Sequence, residues 1–132
     1  MRKEVSDFWI GSFDSKDEYF NFFGENPDFY QDEDDIEEKY ISKFAESQSE
    51  NWIDHDFMES GFEDGNGTFI ERFKKYSYSD QWITELSGKA KESDLKKINT
   101  IVFITKGRIK KPVSISTSEY SLQYIGQIEY YI

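Results

Sequence analysis

The segment from Tyr120 to Ile132 constrains the fold of this chain more than any other. Tyr120, Leu122, Tyr124, Gly126, Ile128, Tyr130 and Ile132 alternate there with Ser121, Gln123, Ile125, Gln127, Glu129 and Tyr131. Successive strand side chains point to opposite faces, so a period of two predicts a long strand with one face in a core and the other mostly wet, as in an antiparallel sheet. Such a strand needs partners. Ile98 to Thr105 is β-branched and nearly unbroken in apolarity, which predicts a strand buried on both faces. Val5, Phe8, Trp9, Ile10 and Phe13 predict another over residues 4–13, buried on both sides in its middle, with Gly11 marking a bulge or the close approach of a second backbone or a helix, as in a central, covered strand.

Helix signals fall between these strands. Ser15 and Glu18 form a capping box before Tyr19, Phe22 and Phe23, with Phe20 flanking that face and Gly24 and Pro27 as stop signals. Asp35 and Glu38 can cap a second helix through Ile36, Tyr40, Ile41, Phe44 and Ala45 that fades at Ser47 to Ser49. Ser79 is placed as the N-cap of a third, through Trp82, Ile83, Leu86 and Ala90, with Gly88 weakening its middle. Residues 69–78 fit helix or irregular structure equally. The reading is α+β: an antiparallel sheet of about four strands with about three helices packed largely on one face. Gly11 and Gly126, each in an aromatic-Ile-Gly strand, are expected side by side beneath a helix. The 132 residues suit a single domain over 1–132.

Charge is distributed unevenly. Residues 1–64 carry 20 acidic and 5 basic side chains, against 7 and 11 in residues 65–132, for a net charge of −11. A surface of this sign repels nucleic acid and anionic membrane and attracts basic proteins. Six carboxylates lie within residues 32–38, more than helix capping requires, so the surplus faces water or a partner. There is no cysteine, which excludes disulfides, thiolate nucleophiles and zinc–thiolate sites and fits a cytoplasmic location. No run approaches the roughly 20 apolar residues of a membrane span, and Met1 to Asp7 lacks the apolar core of a signal peptide.

The residues most suited to chemistry lie between Asn51 and Glu59, which hold the only histidine with Trp52 and several carboxylates. Asp54, His55, Asp56 and Glu59 offer oxygen ligands and one imidazole, the set for a metal-assisted hydrolase centred on His55 and Glu59. The other reading is a solvated turn leading into a strand, with Phe57, Met58 and Phe62 as core residues. If residues 55–59 are extended, His55, Phe57 and Glu59 share one face and Asp56 and Met58 the other, which splits the ligands. With a single imidazole and no thiol, the residues favour a protein with no catalytic residue, no metal and no cofactor. Phe62 to Phe69 mimics part of a calcium loop, but Phe62 and Phe73 stand where the first ligand and the bidentate carboxylate are needed.

Three separated pieces resemble one family. Trp9-Ile10-Gly11-Ser12-Phe13, Trp52 to Glu59, and Tyr124 to Tyr130 are similar, in order and spacing, to the immunity protein 22 family of bacterial polymorphic toxin systems, and Ile41 to Ala45 resembles that family's segment before the Asp-His-Asp-Phe piece. The resemblance implies a small α+β cytoplasmic protein that binds and blocks a cognate protein toxin, often a nuclease, rather than an enzyme. A non-inhibitory adaptor domain is the remaining alternative. An acidic chain suits a basic toxin, and the residues expected to face it are Tyr30, Asp32, Glu33, Asp34, Asp35, Trp52, Asp54, Asp56 and Glu59. The next surfaces in line are the Lys106-to-Pro112 loop and the neighbourhood of Tyr76 and Tyr78.

Overall fold

The computed structural model describes residues 2–24, 42–50, 53, 55–93, 95 and 97–132. Among these, five strands pair in the order β2-β3-β1-β5-β4, each neighbouring pair antiparallel. β1 (Lys3–Phe13) is the middle strand, flanked by β3 (Thr100–Thr105) and β5 (Tyr120–Tyr131), with β2 (Met58–Phe62) and β4 (Ile115–Ser116) at the edges. Four of these strands match the sequence reading. β4 adds the fifth, and its two residues are too few to carry a periodic signal.

β1 and β3 are apolar at consecutive positions, so both of their faces need a cover. Trp9, Phe13, Val102 and Ile104 point into one core; Phe8, Ile10, Ile101 and Phe103 point into the other. On the first face lie α1 (Lys16–Phe23), which buries Tyr19, Phe22 and Phe23, and α2 (Lys43–Ser47), which buries Phe44 and Ala45. On the second lie α3 (Phe69–Phe73) and α4 (Ser79–Glu92), burying Phe73, Trp82, Ile83, Leu86 and Ala90. The helices therefore cover both faces, where the sequence reading put them largely on one. A one-sided arrangement would leave either Trp9 or Phe8 in water, and a fully buried large side chain contributes roughly 1.5–3 kcal/mol.

The helix starts follow their caps. Ser15 Oγ accepts the Glu18 amide at 3.2 Å, as the capping box requires. α2 starts at Ser42, whose Oγ accepts the Ala45 amide at 3.0 Å, and ends at Ser47. The part of that helix expected over residues 36–41 lies outside the described residues. Asn99 extends the β1–β3 ladder with its side chain: Phe13 N donates to Oδ1 at 3.0 Å, and Nδ2 donates to the Phe13 carbonyl at 2.8 Å.

β5 departs from simple alternation. Phe8 pairs with Gly126 but Trp9 pairs with Tyr124, so Ile125 is an extra residue, a β-bulge. Leu122 and Tyr124 therefore pack on the α1/α2 face, whereas Ile128 and Tyr130 pack on the α4 face. One run of even-numbered apolar residues serves both cores, which replaces the expected core face and wet face. Gly126 has φ +126°, a backbone that side-chain-bearing residues rarely adopt, and that is what the position demands. Gly11 is crowded for a different reason. A Cβ there would stand 3.0 Å from Leu122 Cδ1 and 3.1 Å from the Ser121 carbonyl, so the pressure comes from the neighbouring strand and not from a helix.

Candidate functional site

α4 covers only part of its face of the sheet. Its first turn sets Trp82 over Phe8 and Phe103, with ring centroids 5.2 and 5.1 Å apart. Past that ring, the end of the sheet carrying Ser6, Thr105 and Tyr130 opens as a groove of about 610 Å³. At its floor the Ser6 and Tyr130 hydroxyls share a hydrogen bond of 2.8 Å. One wall comes from a 3₁₀ turn, His55–Phe57, and the start of β2; the other comes from Tyr78.

The Tyr78 wall is held from several sides. Tyr78 sits in the left-handed region, φ 57° and ψ 23°, an arrangement that costs of order 1–3 kcal/mol and needs support. Glu59 supplies part of it: its carboxylate accepts the Ser77 amide at 2.8 Å and the Ser77 hydroxyl at 2.7 Å. Trp82 Nε1 donates to the Ser77 carbonyl at 2.9 Å. Tyr76 hydrogen-bonds Glu63 at 3.1 Å and lies against Gly61, where a side chain would strike its hydroxyl. Ser79 is the first residue of α4 rather than its cap, because its hydroxyl turns back to the Lys74 carbonyl. The outcome is a Tyr78 ring that stacks on Tyr130 at 5.9 Å and yet is 47% exposed.

The groove is acidic with aromatic walls. Glu4, Asp56 and Glu59 line it, and Arg2 is the single basic residue among the described residues that do. Arg2 reaches Glu4 only at 3.9 Å, with a side chain 76% exposed, so it offsets little of that charge. Burial pushes the Tyr130 phenol up, the Ser6 hydrogen bond opposes this, and the charges of Glu4 and Glu59 add to it, so both carboxylates act on the same point of the floor. At the rim Phe57 is 41% exposed, and the Arg108 guanidinium lies 3.7 Å from its ring centroid. Arg108 belongs to the exposed basic turn that follows β3.

Of the residues expected to face a partner, Asp56 and Glu59 line this one groove. Tyr30, Asp32, Glu33, Asp34, Asp35, Trp52 and Asp54 lie outside the described residues, as does the side chain of His55. The expected alternation from His55 onward fails because residues 55–57 form a 3₁₀ turn and the strand begins at Met58, which brings Asp56 and Glu59 together. The same turn leaves Phe57 at the surface, while Met58 and Phe62 pack against the first core as expected. Among the described residues no three His, Asp or Glu side chains converge as a metal site would require. In the glycine loop after β2, Arg72 occupies the carbonyls: Nη1 reaches Glu63 O at 2.6 Å and Ile98 O at 2.7 Å, and Nε reaches Gly67 O at 3.0 Å. A guanidinium thus does there what a bound cation would do. Ser6, Glu4 and Tyr130 were missed as site residues, since a strand pattern assigns residues to faces but does not say where a helix stops covering them.

No curated protein and no solved structure matches the chain. No described helix is long and apolar enough to cross a membrane. The family model described as Immunity protein 22 matches residues 7–131, from within β1 to the last residue of β5, and so takes in most of the central strand, both helical covers and most of the groove. On that match, the chain belongs to the Immunity protein 22 family.

Proposed function

We propose that this chain binds a cognate bacterial toxin in the cytoplasm and neutralises it by protein–protein contact, as one domain, and that the toxin is a basic nuclease. The observation that carries the reading is the family match over residues 7–131, since immunity proteins of this kind are typically inhibitors rather than enzymes. The basic character of the partner rests on charge. Residues 1–64 hold 20 acidic side chains against 5 basic ones, and opposite surface potentials raise association from roughly 10⁵–10⁶ to about 10⁸–10⁹ M⁻¹s⁻¹ at low salt. The toxin-facing set under this reading is Tyr30, Asp32, Glu33, Asp34, Asp35, Trp52, Asp54, Asp56 and Glu59.

Co-expression with the toxin encoded beside it tests the proposal. Cells producing both are expected to survive, the two proteins to co-purify, and cellular nucleic acid to stay intact. Death of the co-expressing cells, or a bound transition metal with a hydrolytic activity lost together in His55→Ala, overturns it. Neutralising Asp32, Glu33 and Asp34 should slow association at low salt and matter less as salt rises, because exposed charges are screened beyond roughly 8 Å at physiological ionic strength. Parent-like association at low salt would remove that acidic run from the interface.

A further inference from the structure

We infer that the toxin docks on the outer edge of β2 by adding an extended segment of its own to the sheet, beside β2 and beneath α1. The inference rests on the toxin-binding reading above and gives it a location and a chemistry. Glu63 N donates to the Asn99 carbonyl at 2.6 Å, and ladder bonds in an antiparallel pair recur at every second residue, so Glu59 and Gly61 also turn their backbone groups toward β3. Met58, Ser60 and Phe62 therefore turn theirs outward, and among the described residues no strand or backbone group takes them up. All three residues are only half-buried, so the row meets solvent. Sheets in natural proteins blunt such an edge with shortness, proline, lysine or a cover, because an open one is a template for another chain. The opposite edge is blunted: β4 is two residues long, and beside it Ser114 Oγ accepts the Tyr124 amide at 2.8 Å. β2 has no such guard. Met58-Glu59-Ser60-Gly61-Phe62 contains no proline or lysine, the Glu59 carboxylate is turned to Ser77, and the Glu63 carboxylate is taken by Tyr76 and Lys75.

A row of backbone amides and carbonyls is complemented by another extended backbone. A second copy of the chain is a poor occupant, since each copy carries a net charge of −11 and the two would repel. A toxin segment meets no such barrier, and α1 says what one of its side chains should be. Tyr19 reaches β2 through its hydroxyl, 2.7 Å from Ser60 Oγ, and through its ring, 5.8 Å from that of Phe62. Phe22 packs instead toward β5, on Tyr120. By helical geometry Phe20 projects past Tyr19, away from Phe22, and its ring stays 54% exposed although the Lys16 ammonium lies 5.7 Å over it. An added strand would place alternate side chains under α1, so the toxin segment carries an apolar residue against Phe20.

The test variant is Ser60→Pro, which removes an outward N–H that β3 does not use and puts a ring in the path of an added strand. Ser60→Ala is its control, losing the hydroxyl bond to Tyr19 but keeping the N–H. Affinity for the toxin that the parent captures on co-expression should fall at least about tenfold in Ser60→Pro, the equivalent of one backbone hydrogen bond of about 1.4 kcal/mol, and stay near the parent's in Ser60→Ala. Phe20→Ala should weaken binding in the same direction with parent-like thermal unfolding. If Ser60→Pro does not fold, hydrogen exchange on the parent decides. In the free protein the amides of Met58, Ser60 and Phe62 should exchange fast while those of Gly61 and Glu63 are protected, and bound toxin should protect the first three. Parent-like affinity in folded Ser60→Pro, or edge amides that stay unprotected in the complex, overturns the inference while toxin binding stands. A parent dimer with these amides already protected gives the edge to a second copy and overturns it as well. A parent that captures no toxin overturns the proposed function and this inference together.

Discussion

Each face of the sheet is closed around one fully buried tryptophan whose indole nitrogen ties down a loop, but the two ties differ in reach. On the α1/α2 face Trp9 Nε1 donates to the Val113 carbonyl at 3.0 Å, and Gln48 pairs with both the amide and the carbonyl of Val113, at 2.7 and 3.1 Å. Segments far apart in sequence are sewn together there, under a lid of short helices and stacked rings. On the α4 face Trp82 ties only the turn just before its own helix. A 14-residue helix entered from its own local turn can begin part-way across the sheet, and it begins just after Tyr78, leaving the groove. The lesson is that the open surface belongs to the side whose order is local, where one turn can change without unpicking the sheet.

Five substitutions probe this contrast, in decreasing order of effect. Trp9→Ala and Trp82→Ala should each cost about 3–5 kcal/mol, a large share of the roughly 5–15 kcal/mol of a typical domain. Their footprints should differ in hydrogen exchange: Trp9→Ala should deprotect the distant 106–113 loop and residues 42–48, and Trp82→Ala only the 74–82 turn and the groove. Identical footprints would break the comparison. Next, Gly11→Val should destabilise by about 1–3 kcal/mol through crowding against β5, and Gly126→Ala by about as much through its positive φ. Denaturant titrations check both, and a parent-like midpoint for Gly126→Ala would mean that the bulge is not rigid. The smallest effect is a gain. Gly88 sits inside α4 with nothing within 4 Å of a built Cβ, so Gly88→Ala should stabilise by about 0.5–1 kcal/mol and leave toxin binding unchanged.

The sheet was more legible than the site. Period-two alternation and β-branched runs marked β1, β3 and β5, and Ser15 announced α1, because these signals are local and chemical. Two-sided burial of Phe8 and Trp9 was legible as well, since adjacent large apolar residues on one strand cannot share a face. The bulge could not. Ile125 looks like any strand residue, and only pairing with β1 makes it the extra one. The groove was harder still: Ser6, Asp56, Tyr78, Phe103 and Tyr130 come from five separate segments and meet through strand register and the point where α4 starts. That point depends on a tyrosine in a left-handed conformation with no capping side chain, the reverse of what a helix-start rule looks for. Asp56 and Glu59 were legible as candidates because carboxylates were unusually dense there, but their shared position was hidden by a three-residue 3₁₀ turn.

The place of β1 in the sheet has a consequence for how the protein is made. β1 leaves the ribosome before either of its partners, which begin only at Thr100 and Tyr120. At about 5–20 residues per second, Phe8, Trp9 and Ile10 wait several seconds with no strand to pair with. Non-local pairing of this kind is slow to form and exposes sticky intermediates in the interval. Protection against a toxin thus starts not with the first residues synthesised but with the completion of β5, and a product cut short before Tyr120 loses a neighbour of the central strand rather than a dispensable edge.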